Sequence, residues 1–315
     1  MNFFKMNLLS RVKKLDSRSD RLLFYLCLAL LLVILYGPIL LKWYDGWFSK
    51  NISTEHEYFS HGIIGFPYAA YIVWENRAPW IALPDRFHPL GAFLLGLGSC
   101  CYLAGAPEIV YLSLPLVLTG ICLWLKGMPG LKLQWFPLLL IFLGTPNPIP
   151  YLLTPHTLGL QNFIASAAGL ILNQVGIPVD IQGIHLILNN RLVEVAPYCA
   201  GLKMLFTGFY VALILLHWTK NLGNRRIVVL LLSGSVAISV IANIIRNTLL
   251  TWFHGNGQEQ AFQSLHAGTA GDLYSAGMLL VIVGLLKVLE KWYGTSGSEI
   301  WDESISPQSE GKEGL

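Results

Sequence analysis

Charge is what this sequence has least of. Asp, Glu, Lys and Arg make up 12% of its 315 residues, while 54% are hydrophobic. A soluble domain carries about twice that share of charge. The scarcity excludes an ordinary soluble enzyme and leaves a polytopic membrane protein. Cysteine is sparse too: Cys27, Cys100, Cys101, Cys122 and Cys199 are the only five. Four lie in apolar runs, with no CxxC and no Cys/His cluster, so neither a disulfide framework nor a zinc site is expected. There is no phosphate-binding glycine loop and no nucleic-acid patch. The SGS at 233–235 lies mid-span without a GxSxG elbow, where small residues ordinarily pack helices. No strong internal repeat and no soluble catalytic domain is visible, and no metal or organic cofactor is implied.

What is there is apolar sequence of spanning length, about 20 residues per segment with scatter. Eight such segments can be marked: 22–42, 58–74, 90–106, 108–125, 134–150, 200–218, 226–249 and 273–291. The TPNPIP run at 145–150 ends the fifth. The expected architecture is all-α, a membrane domain over 22–291 preceded by a basic N-terminus (1–21) without a cleavable signal peptide. A polar, acidic tail follows (292–315), its composition suiting disorder.

Between the fifth and sixth segments the pattern changes. Residues 155–175 have amphipathic helical spacing broken by Gln161, Asn162 and Ser166. Residues 178–195 alternate and read as two short strands joined at the turn-prone pair Asn189-Asn190. Lipid cannot satisfy a hairpin's edge groups, so this region belongs at the interface or inside the bundle.

Basic residues set an orientation. With the N-terminus inside, as Arg11, Lys13, Lys14, Arg18 and Arg21 require, 16 of the 21 basic residues fall on the inner side. Only Lys42, Lys50, Arg191, Lys203 and Arg246 fall outside. Both termini are then cytoplasmic, in the inner (cytoplasmic) membrane. Cys199 lies at the outer end of the sixth span, Arg246 near the outer end of the seventh, and His266 in the outer loop before the eighth.

Each has a bland reading beside a chemical one. A lone membrane cysteine is ordinarily a small hydrophobe. In VAPYCAGLKML, however, it sits at the expected start of a helix, and a helix N-terminus favours thiolate. Lys203, one helical turn on, adds positive charge, and Ala200 and Gly201 leave room for a substrate backbone. Arg246, in ANIIRNTLL, either snorkels to the interface or serves a site, as intramembrane charges tend to; its guanidinium suits an oxyanion or a carboxylate. His266, in SLHAGTAGD, suits general acid–base work, but His61 and His254 lie on the same side and position alone does not choose. Glu194 either orients a partner or merely finishes the hairpin.

The order of Leu160-Gln161 in a polar-faced helix, Gly183 in the hairpin, EVAPYCAGL, ANIIRN with Asn243, and a His-bearing loop before a last span resembles the exosortase/archaeosortase family. YFSHGIIG also resembles that family's second-span pattern. The resemblance covers about residues 35–291 and is closer to the cyanobacterial branch. It implies a membrane cysteine protease/transpeptidase with Cys199 as nucleophile, Arg246 as oxyanion stabiliser and His266 as general acid–base. Lys203, Gly201, Asn243, Gln161 and Glu194 would support them. The implied partners are exported proteins ending in a recognition motif of the PEP-CTERM type, a transmembrane helix and a basic tail. The bilayer is the shared medium, with water or an acceptor amine, on a polysaccharide or lipid, as second nucleophile. Two departures stand out: Ala200 replaces the family's usual serine, and His266 is followed by Gly268 and Gly271 rather than by glycine at a four-residue step. Two other classes remain open: a transporter of a small polar or lipidic solute, which would thread polar residues to both faces, and a membrane assembly factor, for which Cys199 would be dispensable.

Overall fold

The computed structural model of the chain describes residues 18–48, 54–195 and 201–293. The basic N-terminus before residue 18, Lys50, the tail from residue 294, and Cys199 with Ala200 lie outside the described residues. The described chain is built of helices α1 (Arg18–Phe48), α2 (Thr54–Phe59), α3 (Gly62–Glu75), α4 (Arg77–Ala82), α5 (Pro89–Tyr102), α6 (Pro107–Gly144), α7 (Ile149–Leu153) and α8 (Leu158–Gln174). Strands β1 (Asp180–Gln182), β2 (His185–Leu188) and β3 (Arg191–Glu194) follow, then α9 (Lys203–Trp218), α10 (Arg225–Gly255), α11 (Glu259–His266) and α12 (Thr269–Tyr293).

Four of the described helices are long and apolar enough to cross a membrane: Leu22–Phe48, Pro107–Gly144, Arg225–Gly255 and Thr269–Tyr293. That is half the expected eight, for two physical reasons. The fourth and fifth apolar segments are joined in α6, whose 38 residues would reach about 57 Å if straight. A bilayer core is about 30 Å thick. The helix is broken at Gly127, with φ 61° and ψ −153°, a conformation essentially confined to glycine. A Cβ there would also press on the Arg86 carbonyl oxygen at 3.0 Å. The other shortfall is length. α3 and α5 have 14 residues and α9 has 16, about 21–24 Å each.

Small residues decide how these rods meet. α5 packs on the first limb of α6 through Gly91, Gly98 and Gly120, where added Cβ atoms would meet Trp124, Val117 and Leu95. The second limb, α3 and α9 share a core of Ala69, Ile72, Phe136, Leu140, Tyr210 and Ile214. α9, α10 and α12 enclose another, of Ala212, Leu216, Ile227, Leu231, Ile282 and Leu286.

The contacts define two ends. At one, Trp47 packs on Gly62, His61 reaches the Leu143 carbonyl, and Leu202 packs with Tyr58 and Phe59. At the other, Asn76 bonds Leu133 and Gln134, Lys126 pairs with Asp85 at 2.7 Å, and Asn221 bonds Glu290. The second end gathers Arg77, Arg86, Lys126, Lys132, Lys220, Arg225, Arg226, Lys287 and Lys291. Arg246 and His266, joined through the His266 carbonyl, lie towards the first.

Candidate active site

The site is built on a platform of α8 and the sheet. The amphipathic helix expected over 155–175 is α8, and it buries Gln161, Ile164, Ala165, Ala168, Gly169 and Leu172 along one face. Against it lie Val179, Leu186, Leu188 and Val195 from the sheet, with Ile244 and Trp252 of α10. The hairpin joined at Asn189-Asn190 is present as β2–β3; both asparagines have positive φ, 51° and 62°, as a type I′ turn demands. The sheet has a third strand that the sequence reading did not resolve. β1 pairs antiparallel with β2 across a two-residue turn at Gly183-Ile184. Three residues of alternation, DIQ, were too few to read.

This platform fixes one end of the Cys199 segment. Gln161, buried on α8, donates from Nε2 to the Val195 carbonyl at 3.0 Å, and Val195 N donates to the Ile184 carbonyl at 2.9 Å. Glu194 is the exposed last residue of β3, opposite His185 in the register.

The other end is fixed by α10. Gly201 has φ +81°, and a Cβ on it would lie 2.7 Å from Cγ of Asn243, itself fully buried. Glycine is therefore required twice over, by conformation and by closeness. The regular helix α9 starts at Lys203; the expected one-turn relation of Cys199 to Lys203 falls on Cys199, outside the described residues.

One turn beyond Asn243, Arg246 is half-buried and donates from Nη2 to the carbonyls of His266, at 2.8 Å, and Leu265, at 3.4 Å. These carbonyls end α11, and the chain then turns sharply into α12. A Cβ on Gly268 would lie 2.7 Å from the Ser264 Cα, and one on Gly271 2.6 Å from the Leu265 oxygen. The two glycines after His266 thus make the turn that presents both carbonyls. The His266 ring stacks on Phe262, with centroids 5.3 Å apart and planes 8° from parallel. Burial, and then the Arg246 charge, hold its imidazole below the usual value of 6.5, favouring the neutral base.

The other two histidines are placed differently. His254 makes a 3.2 Å pair with Glu259 at the surface. His61 is buried, its Nε2 3.2 Å from the Leu143 oxygen and its ring 4.5 Å from that of Tyr210. Of the three, only His266 is joined directly to Arg246 among the described residues. No group of His, Cys, Asp and Glu suited to a metal ion occurs among the described residues.

The chain was compared with known proteins against this geometry. The family model of the transmembrane exosortases matches residues 47–283. The chain belongs to that family. The match spans every element from α2 to α11, and it supports a multi-pass membrane protein of exosortase type. No curated protein and no solved structure gives a match.

Some residues of the site went unremarked in the sequence. Beyond Asn243, which the sequence did mark, α10 buries Ile227, Leu231, Ser235, Ser239, Asn247, Thr251 and Gly255 at four-residue steps, with Leu250 beside them. Ser, Asn and Thr recurring at four-residue steps in an apolar run was the available signal. Tyr274 of α12 donates to the Ala242 carbonyl at 2.6 Å, clamping α12 to α10 one turn before Arg246. Nothing in its local sequence marks it.

Proposed function

We propose that the chain is a membrane-embedded cysteine protease/transpeptidase that removes C-terminal sorting signals from exported proteins. Cys199 is its nucleophile. The observation that supports this most is the bracketing of the Cys199 segment: Val195 is held by α8, and Gly201 is held against Asn243. Cys199 is two residues before Gly201, so chain length alone keeps their Cα atoms within about 7.6 Å. Asn243 and Arg246 are three apart on one helix, where side chains are neighbours. The thiol, the guanidinium and, through its carbonyl, His266 therefore belong to one neighbourhood.

The chemistry follows from the residue types. Neutral His266 takes the proton of the Cys199 thiol, and the thiolate attacks the scissile carbonyl, forming a C–S bond and a tetrahedral oxyanion that Arg246 stabilises. Collapse breaks the C–N bond, and a proton from His266 leaves with the amine of the released transmembrane helix. A thioester remains. Water resolves it in hydrolysis; an amine on an acceptor resolves it in transpeptidation. Tethering by the substrate's own helix confines the encounter to the membrane and raises its effective concentration. The substrate tail has a PEP-CTERM-type motif, an apolar helix and basic residues. Clustering of basic side chains at the far end of the bundle supports that end facing the cytoplasm, with the site at the outer face.

A transporter is the competing class, and the polar stripe of α10 is the feature it would use. Its members are engaged in packing. Ser235, Ser239 and Thr251 donate to the carbonyls of Leu232, Met204 and Asn247, and Asn247 to that of Asn243. The deciding experiment is co-production of an exported reporter bearing the tripartite tail with Cys199→Ala and Cys199→Ser variants. Loss of the tail-removed form in both is expected. Processing undiminished in both removes the cysteine and, with it, this function.

A further inference from the structure

The sheet has an open side next to the nucleophile's segment. In an antiparallel pair, residues alternate between those bonded across the ladder and those whose N–H and C=O point away. The phase is set by the 2.9 Å bond from Val195 N to the Ile184 carbonyl. With His185 opposite Glu194, Leu186 opposite Val193 and Leu188 opposite Arg191, the inward residues of β3 are Arg191, Val193 and Val195. Leu192 and Glu194 therefore aim their N–H and C=O groups off the outer edge. Neither makes a backbone hydrogen bond to another described residue. The edge is also accessible: Leu192 is 53% exposed, and Arg191 and Glu194 are exposed beside it. Edges of this kind are usually guarded by proline, charged side chains or a bulge; β3 has neither proline nor bulge, and its two charges, Arg191 and Glu194, stand at its ends. The opposite edge of the sheet differs. The same alternation leaves one β1 residue, Ile181, facing out, and Ile181 packs on Gly169.

We propose that the outer edge of β3, at Leu192 and Glu194, is where an extended segment of the substrate polypeptide adds as a fourth strand. The inference rests on the protease/transpeptidase reading and specifies how that site holds its substrate. The four outward backbone groups of Leu192 and Glu194 match the donor and acceptor pattern of an extended peptide, whatever its side chains. Glu194 is five residues before Cys199, within about 18 Å along the chain. A strand bound here thus lies within chain reach of the nucleophile. At a membrane interface, unpaired peptide groups of enzyme and substrate are costly, and strand addition satisfies both sets together. Specificity for the short motif would then come from side chains nearer Cys199, while the edge supplies register.

Two measurements test it in the full-length protein, with the exported reporter carrying a PEP motif, apolar helix and basic tail as probe. In the first, Leu192→Pro and Glu194→Pro each delete an outward N–H and fill the edge while leaving the inward ladder groups in place. Processing is expected to fall at least tenfold below that of Leu192→Ala and Glu194→Ala. In the second, a photo-crosslinking amino acid replaces Leu192 in the Cys199→Ala chain, which retains uncleaved reporter. An adduct with the reporter is expected there and not when the crosslinker replaces Ile181. This second arm covers the case in which a proline variant fails to fold. Proline variants as active as their alanine partners, or no adduct at 192, overturns strand addition. Processing that persists in Cys199→Ala instead overturns the underlying enzymatic reading, so the two failures are distinct.

Discussion

The close approach of Gly201 to Asn243 makes the most quantitative forecast. Replacing Gly201 with Ala has two consequences. A non-glycine residue at φ +81° carries a left-handed penalty of about 1–2 kcal/mol. The new Cβ also lies 2.7, 2.8 and 2.9 Å from Cγ, Nδ2 and Cβ of Asn243. All three atoms belong to a fully buried residue with no outlet, and overpacking of that kind costs about 1–3 kcal/mol. The single variant should therefore lose about 2–5 kcal/mol on these two contributions. The steric part disappears if Asn243 becomes Gly, since all three crowding atoms leave together; the conformational part does not. Gly201→Ala in an Asn243→Gly background should thus cost only the left-handed penalty, giving a coupling of about 1–3 kcal/mol between the sites. Denaturant titration in mild detergent, followed by far-ultraviolet circular dichroism, measures the cycle. A Gly201→Ala variant within about 0.5 kcal/mol of the parent, or a cost identical in both backgrounds, refutes the packing argument. It would also remove the anchor that ties the Cys199 segment to α10.

Three further outcomes are expected. Gln161→Ala removes the buried donor to the Val195 carbonyl, costing about 1–3 kcal/mol, and should speed alkylation of Cys199 by a maleimide while slowing reporter processing. Unchanged labelling shows that α8 does not hold the segment. Arg246→Lys keeps the charge but not the planar guanidinium whose Nη2 meets the Leu265 and His266 carbonyls, and should cut processing at least tenfold; parity with the parent removes the guanidinium geometry from the mechanism. His266 has its pKa lowered in the folded protein, so the unfolded chain takes up its proton first as pH falls through 6.5. Stability should decline as pH drops below that value, and His266→Gln should flatten the slope over that window in a melting-temperature series; a slope unchanged in His266→Gln refutes the linkage.

How far the sequence went depended on the range of the interactions involved. Local signals were readable. The four-residue spacing of apolar positions gave α8, and Asn189-Asn190 gave the hairpin, because each is decided by a few neighbouring residues. The count of membrane crossings was not local in that sense. Composition registered 108–125 and 134–150 as separate runs; α6 joins them end to end, and the break between its two limbs turns on one glycine's backbone at 127. Likewise α3, α5 and α9 are apolar enough to notice yet short, because they pack on longer neighbours through glycine and alanine.

The candidate site divides along the same line. Residue types suited to acyl transfer could be picked out, and a charge ledger placed them on one side. Their mutual geometry depended on contacts between distant segments: Gln161 with Val195, Gly201 with Asn243, Arg246 with the carbonyl of His266. The third of these also bears on the histidine that sequence position could not choose. His61, His254 and His266 are equivalent as outer-side imidazoles. The side was an expectation from charge alone; what the fold distinguishes is their surroundings, a buried carbonyl, an exposed carboxylate and an arginine. The glycines at 268 and 271 looked like an irregular version of the family spacing. In the fold they permit the turn by which Arg246 grips the end of α11, so the departure in spacing coexists with an intact connection between arginine and histidine. Histidine assignment in this family is therefore better argued from the carbonyls that the arginine holds than from the interval to the next glycine.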